Sequence, residues 1–377
     1  MTNTPPGRPT LCFIDHQALR WNFKQIRTLV GPRVKVLSMV KANAYGHGAQ
    51  AVAKTLAAAG SDAFGVATVE EGSELRRARI TQPILVVAGF YVEQLEQFIK
   101  NRLTPVVHEV ATLKELDKQL QRLKTTLGVE IEVDTGMGRI GFPAAEIRAW
   151  LPALAALKAI KLTGVFSHFS DAERADERVT QKQLSSFHEV LNRLAEAKMT
   201  HRSSHMAKSA ALITEPAAHF SMVRPGLILY GMYPAPALQE NIDLKPVLSW
   251  KTRIIQLKRV EAGTSVGYGR TFTAKRNSLI ATLPVGYADG YRRLFSNRAH
   301  VLVRGKRAPV IGRVSMDLTT IDVTDIRNIQ QGDEVVLLGI QGAAEIGADE
   351  IAGWANTISY EIFTSISARV PRIHYHN

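Results

Sequence analysis

A lysine follows directly after the first long β-branched segment of the chain. Residues 34–40 read VKVLSMV, and Lys41 opens the string KANAYGHG. A primary amine can attach a carbonyl cofactor covalently or transfer a proton, and at the carboxyl end of a barrel strand it would lie on the catalytic face. Lys41 is therefore a candidate catalytic residue, although a plain surface lysine would have the same local pattern.

Three further side chains of suitable chemistry stand in short, distinctive strings. Arg139 ends the string DTGMGR after a strand-like segment, and its planar guanidinium can bind a carboxylate. His168 follows another such segment, and its imidazole can titrate near neutral pH. Tyr268 stands between two glycines in SVGYGR, and a phenol acts as a base only beside positive or hydrogen-bonding groups. A structural ion pair, a structural histidine and a turn tyrosine are the respective alternatives.

The elements that must position these residues alternate between short β-branched runs and helical patterns over residues 10–235. Eight runs are predicted to be strands: Val34–Val40, Ala63–Ala67, Ile84–Ala88, Leu103–Val107, Val129–Val133, Leu162–Ser167, His201–Ser204 and Met222–Leu229. Helices are predicted over Val110–Lys124 and Thr180–Lys198, where apolar residues recur every three or four positions. Repeated βα units in this number predict an α/β fold with a closed (β/α)8 barrel.

The remainder of the chain, after Pro234, has the pattern of a smaller, mostly β domain. Its predicted strands are Trp250–Arg259, Ser278–Pro284, His300–Val303 and Glu334–Leu338, and a helix is predicted over Ala348–Thr357. The predicted organisation is therefore a flexible tail over residues 1–9, a barrel over residues 10–238 and a β-rich C-terminal domain over residues 239–377.

Composition limits the class of protein further. The 377 residues are 45% hydrophobic and 21% charged, which is typical of a folded globular protein. The sequence has neither a bilayer-spanning apolar run nor an apolar signal core at its start, so a cytoplasmic location is expected. The single cysteine, Cys12, is expected to be buried and inert. The net charge of +13 comes from scattered clusters, which favours solvated surface, and no metal, nucleic acid or membrane is a predicted partner.

The motifs taken together are similar to those of one enzyme family. The string VKANAYGHG resembles the cofactor-lysine segment of the alanine racemases, and DTGMGR and SVGYGR resemble their arginine and tyrosine segments, in the same order. The resemblance runs over residues 10–373. It implies a barrel that binds pyridoxal 5'-phosphate (PLP), followed by a β domain, and a homodimer in which each active site borrows residues from the partner's β domain.

The resemblance also implies roles for individual residues. Lys41 would bind PLP and would be one of two bases, the other being Tyr268 from the second subunit. The remaining cofactor-binding residues would be Tyr45, His168, Ser209, Arg224, Gly226, Leu227 and Tyr360. Substrate binding would fall to Arg139, Tyr287, Met316 and Asp317, with Glu132 and His205 as supporting residues. An arginine at the pyridine nitrogen, as implied for Arg224, donates a hydrogen bond without protonating the ring, which suppresses transamination.

Four positions depart from the family pattern. Glu132 stands where many members have a lysine that becomes carbamylated and bonds the arginine. A glutamate supplies a similar negative charge without modification, so activity is expected not to depend on bicarbonate. Lys208 replaces a commoner asparagine, and its charge would either strengthen a phosphate site or face solvent. Ser315 and Ser359 replace a cysteine and a proline, with small effects expected on the chemistry.

The predicted function is the interconversion of L-alanine and D-alanine by a two-base isomerase that supplies D-alanine for peptidoglycan. A broad-specificity or serine racemase of the same fold is the nearest alternative, but the broad-specificity enzymes tend to have a signal peptide and paired cysteines, which this sequence lacks. A non-catalytic PLP-homeostasis protein would share the barrel and the lysine but not a domain like residues 240–377. Related decarboxylases usually use a catalytic cysteine, and Cys12 is not suitably placed.

Overall fold

The computed structural model describes residues 7–173 and 177–376. Contacts between residues divide the chain into two compact units. The barrel unit contains residues 18–44 and 49–245, and the β unit contains residues up to 17, residues 45–48 and residues from 246 onward. Within the described ranges no helix is long and apolar enough to cross a membrane.

Eight parallel strands form a closed ring in the barrel unit. They are Lys35–Met39, Ala63–Val66, Ile84–Val86, Thr104–Val107, Leu127–Asp134, Ile160–Phe166, Ser203–Lys208 and Met222–Arg224. Each strand pairs with the next around the ring, and the eighth returns to the first, where Met222 lies opposite Lys35. Strands covered on both faces need apolar side chains, and most residues of these strands are buried. The predicted (β/α)8 barrel is confirmed.

Helices connect the barrel strands. They are His16–Val30, Lys41–Tyr45, Ala49–Ala58, Val69–Arg77, Leu95–Lys100, Val110–Arg122, Ile147–Ala155, Glu177–Glu196 and Ser209–Thr214. In Val110–Arg122 the periodic leucines at 113, 116 and 120 are buried, as the helical spacing predicts. A two-residue strand, Phe142–Pro143, adds to the edge of the fifth barrel strand.

The seventh and eighth strands differ from their predicted bounds. The seventh is Ser203–Lys208 and not His201–Ser204, because pairing of Ser203 with Gly164 on the sixth strand sets its start, and its polar sequence carries no alternation that shows this. The eighth strand ends at Arg224 and not at Leu229. Pro225 has no N–H to continue the ladder, and a 3₁₀ helix follows.

The β unit is mostly β, as predicted. Its strands are Leu11–Asp15, Leu248–Arg253, Gln256–Val260, Ser265–Val266, Phe272–Thr273, Ser278–Leu283, His300–Val303, Lys306–Pro309, Thr319–Asp322, Glu334–Gln341, Ala344–Ile346 and Arg372–Tyr375, and its helices are Ala348–Trp354 and Ser359–Ser365. The single strand predicted over Trp250–Arg259 is in fact two. The first pairs with the strand that begins at Glu334, and the second pairs with the strand that begins at Ser278.

The start of the chain belongs with the β unit. Strand Leu11–Asp15 pairs antiparallel with Leu248–Arg253 and parallel with Arg372–Tyr375, whereas the sequence-based division begins the barrel at residue 10. In the predicted tail over residues 1–9, residues 1–6 lie outside the described residues, but Arg8 is held by 2.5 Å hydrogen bonds to Asp289 and is not loose. Cys12 is buried, as expected, and burial raises the pKa of its thiol to about 12.

Candidate active site

A left-handed turn follows the first barrel strand. Residues 42, 43 and 44 have φ angles of 51°, 53° and 53°, which cost residues other than glycine about 1–2 kcal/mol each. Glu71 Oε1 accepts a 2.6 Å hydrogen bond from the Ala42 amide, and Asn43 Oδ1 accepts one of 2.8 Å from the Ala49 amide. Strain that the surrounding contacts over-determine is characteristic of functional sites, and here it fixes the backbone immediately after Lys41.

The amine of Lys41 lies among charged groups. Burial lowers its pKa from the usual value, and the positive charges of Arg139 and Arg224 lower it further, whereas Glu71 and Glu132 raise it. A lower pKa increases the fraction of neutral amine at a given pH. The neutral amine is the form that can react with a carbonyl or accept a proton.

Arg139 and Glu132 form an ion pair at the end of the fifth strand. Arg139 Nη2 lies 3.9 Å from Glu132 Oε1. The loop that leads to Arg139 is shaped by Asp134, whose carboxylate accepts hydrogen bonds of 2.9 Å and 3.1 Å from the amides of Gly136 and Gly138. Burial raises the pKa of Glu132 to about 7, although neighbouring arginines act in the opposite direction. This carboxyl group therefore changes charge near neutral pH, beside the guanidinium of Arg139.

A buried chain of hydrogen bonds holds Arg224. Its Nη1 donates to His205 Nδ1 at 2.6 Å, and His205 Nε2 lies 2.7 Å from Glu130 Oε2. A guanidinium has only donors, so His205 Nδ1 accepts and the imidazole proton is on Nε2, directed at Glu130. Arg224 Nη2 donates to the Ser167 carbonyl oxygen at 2.7 Å. Burial lowers the pKa of Arg224 to about 10, which leaves it a cationic donor at neutral pH.

His168 lies after the sixth strand, with its Nδ1 3.4 Å from Arg224 Nη2. Burial lowers its pKa well below the usual value, and the positive charges of Arg224, Lys208 and Arg139 act in the same direction. The imidazole is consequently neutral at pH 7, so it can take part in hydrogen bonds but adds no charge of its own.

Two short helices begin next to each other after the seventh and eighth strands. Ser209 opens one of them, and its Oγ accepts a 3.0 Å hydrogen bond from the Gly226 amide, which precedes the 3₁₀ helix Leu227–Tyr230. Hydroxyl and amide groups of this kind suit an anion. The neighbouring Lys208 forms an ion pair with Glu173, with 2.9 Å between Nζ and Oε1.

The β unit presents Tyr268 on a tight turn. Gly267 and Gly269, on either side of it, have φ angles of 77° and 70°, which a glycine adopts without strain. A Cβ on Gly267 would also lie 3.2 Å from the Arg313 amide nitrogen. The Tyr268 side chain is 69% exposed.

Two other segments of the β unit are brought side by side. The amides of Tyr287 and Ala288 donate 3.0 Å hydrogen bonds to the carbonyl oxygens of Ser315 and Met316. Tyr287 and Met316 are 43% and 53% exposed. Asp317, next in the chain, accepts a 2.7 Å hydrogen bond from Arg369 Nη2. The segment therefore presents an aromatic ring and a thioether on the surface of this unit.

Tyr45 and Tyr360 also belong to the β unit, and their ring centroids lie 5.9 Å apart. Burial raises the pKa of the Tyr45 phenol above its usual range, so the phenol stays protonated and able to donate a hydrogen bond. Arg372 Nε donates to the Gly46 carbonyl oxygen at 3.0 Å and so holds the segment that follows Tyr45.

Sequence reasoning missed residues that support these groups. Glu71 holds the left-handed turn, and Glu130 holds His205. His108 follows the fourth barrel strand, and its Nδ1 lies 3.8 Å from Glu132 Oε2. The usable signal for His108 was its position at the carboxyl end of a strand, the same signal that identifies His168. Glu130 lies two residues before Glu132 on one strand, so both point to the same face.

The carboxyl ends of the barrel strands thus bring together a buried arginine, Arg224, a neutral imidazole and an amine of lowered pKa. These features define an α/β-barrel enzyme, here with a β domain appended. The comparisons with known proteins agree. Residues 14–234 match the model of the alanine racemase N-terminal domain, and residues 247–374 match that of the C-terminal domain.

Relatives resemble the chain over almost its full length. The alanine racemase of Halothermothrix orenii is 46% identical over 365 residues, which cover 97% of this chain and 96% of the relative. The crystal structure of alanine racemase from Bacillus anthracis with bound L-Ala-P has a TM-score of 0.94 at 35% identity, covering 99% and 97% of the two chains. That of alanine racemase from Bartonella henselae, with covalently bound pyridoxal phosphate, has a TM-score of 0.87 at 30% identity, covering 98% and 100%.

The chain belongs to the alanine racemase family, and it is accordingly an isomerase that acts on an amino acid.

Proposed function

We propose that this enzyme racemises alanine with PLP bound through Lys41, and that Tyr268 of the partner subunit is the second base. The observation that carries the proposal is the half-buried Lys41 side chain at the carboxyl end of the first barrel strand, where burial and the charges of Arg139 and Arg224 lower the pKa of its amine. The proposed role of the product, D-alanine, is peptidoglycan synthesis in the cytoplasm.

The residues present fit the cofactor. Cationic groups at the barrel mouth, Arg139, Arg224 and Lys208, suit the negative charges of PLP, and the Ser209 hydroxyl with the amides of Gly226 and Leu227 would hold its phosphate. Tyr45 and Tyr360 are proposed to complete the phosphate site with phenol donors, as the family resemblance implies. The Bartonella henselae relative, whose structure contains covalently bound pyridoxal phosphate, supports this assignment.

Arg224 would face the pyridine nitrogen of PLP. A guanidinium that remains a cation at neutral pH donates a hydrogen bond but does not release its proton. His205 accepts a hydrogen bond from Arg224 and donates one to Glu130, and these two hydrogen bonds orient the guanidinium. The guanidinium would then donate to the pyridine nitrogen without protonating it. When bound, PLP supplies an electron sink that acidifies the α-hydrogen of alanine, and a pyridine nitrogen that is hydrogen-bonded but not protonated makes this sink weaker than a protonated ring would.

Two bases on opposite faces of Cα account for racemisation. Lys41 Nζ removes the α-proton of D-alanine or returns a proton to that face, and Tyr268 of the partner subunit does the same for L-alanine. A single base would have to move from one face of Cα to the other between the two steps. The 69% exposure of Tyr268 in this chain supports a role toward a second subunit, whose surface would supply the positive or hydrogen-bonding neighbours that a phenol needs to act as a base.

Arg139 would bind the carboxylate of alanine, and Glu132 would hold Arg139 in place. In many relatives of the family the position of Glu132 carries a carbamylated lysine, whose anion a glutamate replaces without modification. Tyr287 and Met316 of the partner subunit, beside Asp317, are proposed to limit the substrate side chain to about a methyl group, which favours alanine over larger amino acids.

The test mixes two inactive variants, Lys41→Ala and Tyr268→Phe, after each has been purified with PLP. Subunit exchange should restore about one quarter of wild-type alanine racemisation, because half of the dimers are mixed and each of these contains one intact pair of bases. Either variant alone, or the mixture without exchange, should remain inactive. No recovery after exchange that mass spectrometry has verified would overturn the assignment of Tyr268 to the partner subunit.

Substrate scope separates alanine racemase from the broad-specificity alternative. Wild-type enzyme incubated with a panel of L-amino acids should racemise alanine at least about tenfold faster than serine, measured as kcat/KM by chiral chromatography, because one added hydroxyl or methylene changes binding by about 1–3 kcal/mol. Equal rates for larger amino acids would favour the broad-specificity reading.

A further inference from the structure

A buried glutamine connects two loops of the candidate site. Gln183 lies on helix Glu177–Glu196 and is only 2% exposed. Its Nε2 donates to the His168 carbonyl oxygen at 3.2 Å and to Thr135 Oγ1 at 3.4 Å. Its Oε1 accepts hydrogen bonds of 3.0 Å from both the amide and the hydroxyl of Ser170. Both donor sites and the acceptor of this side-chain amide are therefore used.

The two loops carry residues of different roles. Thr135 belongs to the loop that ends in Arg139, whereas His168 and Ser170 belong to the loop after the sixth strand. The loops are also joined to each other, because Thr135 Oγ1 lies 2.7 Å from Ser167 Oγ. The backbone of Gly136 also lies close to the Gln183 side chain, since a Cβ on Gly136 would lie 3.5 Å from Gln183 Cγ.

The direction of Arg139 depends on its loop. Its side chain is 53% exposed, and in residues 7–173 and 177–376 its only ion-pair partner is Glu132, at 3.9 Å. Because this single contact holds the guanidinium only weakly, a shift of the loop backbone moves the guanidinium with it. Gln183 Nε2 donates to the Thr135 hydroxyl in that loop and also to the carbonyl oxygen of His168.

We propose that Gln183 is a positioning residue that sets the geometry of Arg139 relative to His168 at the barrel mouth. The proposal rests on the function proposed for Arg139, the binding of the alanine carboxylate. Gln183 acts at a distance, through Thr135 and the His168 backbone, and does not itself touch substrate. Its consequence is specific: loss of its hydrogen bonds weakens alanine binding more than it slows proton transfer at Lys41.

The experiment compares three variants of the enzyme, with PLP for the kinetics and without it for hydrogen exchange. Gln183→Met keeps the volume of the side chain and removes all four hydrogen bonds. Gln181→Met is the matched control, because Gln181 lies on the same helix and donates only at the surface, to Glu215 Oε2 at 2.8 Å. Thr135→Val is nearly isosteric and removes the hydrogen bonds of the Thr135 hydroxyl to Gln183 and Ser167, while the bonds of Gln183 to His168 and Ser170 stay in place. This variant serves if the buried variant folds poorly.

Two readouts are needed. Steady-state kinetics with L-alanine should show about a tenfold rise in KM for Gln183→Met and Thr135→Val with a smaller change in kcat, since an unsatisfied buried partner costs about one hydrogen bond's free energy. Hydrogen exchange of the cofactor-free protein should show faster exchange in residues 134–139 for both variants and in residues 168–173 for Gln183→Met alone. Gln181→Met should match the wild type in both.

The outcomes separate this proposal from the proposed function. A Gln183→Met variant with lower thermal stability but unchanged KM and loop exchange would make Gln183 merely structural and would overturn the proposal. A wild-type enzyme that does not racemise alanine would instead refute the proposed function, and faster loop exchange in the cofactor-free variants would then still support the connection between the loops.

Discussion

The barrel unit and the β unit hold Arg224 and Tyr268, two of their candidate residues, in opposite environments. In the barrel unit, Arg224 is buried, and burial lowers the pKa values of Arg224, His168 and Lys41. In the β unit, Tyr268 and Met316 are 69% and 53% exposed. Burial shifts a pKa only where surrounding atoms exclude water. The chain alone thus supplies the surroundings of Arg224, whereas the second base proposed at Tyr268 would obtain its surroundings from a partner subunit.

The largest effect is expected at Lys41 in the barrel unit. Lys41→Ala should lower alanine racemisation by about 10⁴-fold or more, because it removes both the attachment of PLP and one base. The variant should also lose PLP absorbance on gel filtration. Lys54→Ala changes an exposed lysine on helix Ala49–Ala58 and is the control. A Lys41→Ala variant that retained covalent PLP would refute the assignment.

The next largest effect is expected at Tyr268, the exposed residue in this comparison. Tyr268→Phe should slow exchange of the α-hydrogen of L-alanine by about 10²- to 10⁴-fold and that of D-alanine much less, because the phenol would serve one face of Cα. Single-turnover deuterium exchange followed by mass spectrometry measures both directions. Tyr91→Phe, at a tyrosine of the barrel unit that is 71% exposed, should have no effect. Equal losses in both directions would contradict the assigned faces.

A smaller effect concerns the buried carboxyl group of the barrel unit. Because the pKa of Glu132 is raised to about 7 in the folded state, the folded protein binds more protons than the unfolded chain between about pH 4.5 and pH 7. The stability contributed by this group is full below that window and falls as pH rises through it. Relative to the wild type, Glu132→Gln should gain up to about 3 kcal/mol in free energy of unfolding between pH 4.5 and pH 8.

Urea unfolding at several pH values measures this difference, and a constant difference between the two proteins across the window would contradict it. Activity offers a separate check on the same residue. Above about pH 7, where the Glu132 carboxyl group is ionised, dialysed wild-type enzyme should not be stimulated by bicarbonate, because Glu132 supplies negative charge beside Arg139 without carbamylation. Strong rescue by bicarbonate would show that another group supplies that charge.

The smallest effect tests how the β unit holds its exposed segments. Arg8 donates 2.5 Å hydrogen bonds to both oxygens of Asp289, which is fully buried and whose carboxylate also accepts from the Gly286 amide next to Tyr287. Arg8→Ala should lower the free energy of unfolding by about 1–2 kcal/mol, since the buried carboxylate loses a partner that is itself partly exposed. Urea unfolding measures this effect.

The control for Arg8 is Arg276→Ala, at a fully exposed ion pair with Asp325, where unfolding should change little. Similar losses in the two variants would mean that the burial of Asp289 adds nothing. A loss for Arg8→Ala alone would confirm that the N-terminal residues from Arg8 onward are part of the β unit.

Much of the fold was predictable because it depends on local patterns. The β-branched runs and the periodic leucines at 113, 116 and 120 predict the barrel strands and a helix correctly. The strand at Leu11–Asp15 was not predicted, because its partners lie more than 200 residues away in the chain. The seventh strand was misplaced for a related reason, since its polar residues gain their alignment only from the neighbouring sixth strand.

The candidate residues follow the same division. Lys41, Arg139 and Tyr268 stand in short strings whose residue types and spacing can be recognised from the sequence alone. The supporting residues Glu130 and Gln183 could not be singled out, because a lone glutamate or glutamine on an amphipathic segment is usually a surface residue. Their roles arise from hydrogen bonds to residues 75 and 48 positions away.

The amino-acid sequence alone determined which chemical groups are available here, their order along the chain, and the two kinds of secondary structure that carry them. Tertiary structure decided which of those groups lie close together, and hence the directions in which the pKa values of Lys41, Glu132 and His168 are shifted. The physical reason is that desolvation and charge–charge interaction depend on distances through space, whereas the sequence records only distances along the chain.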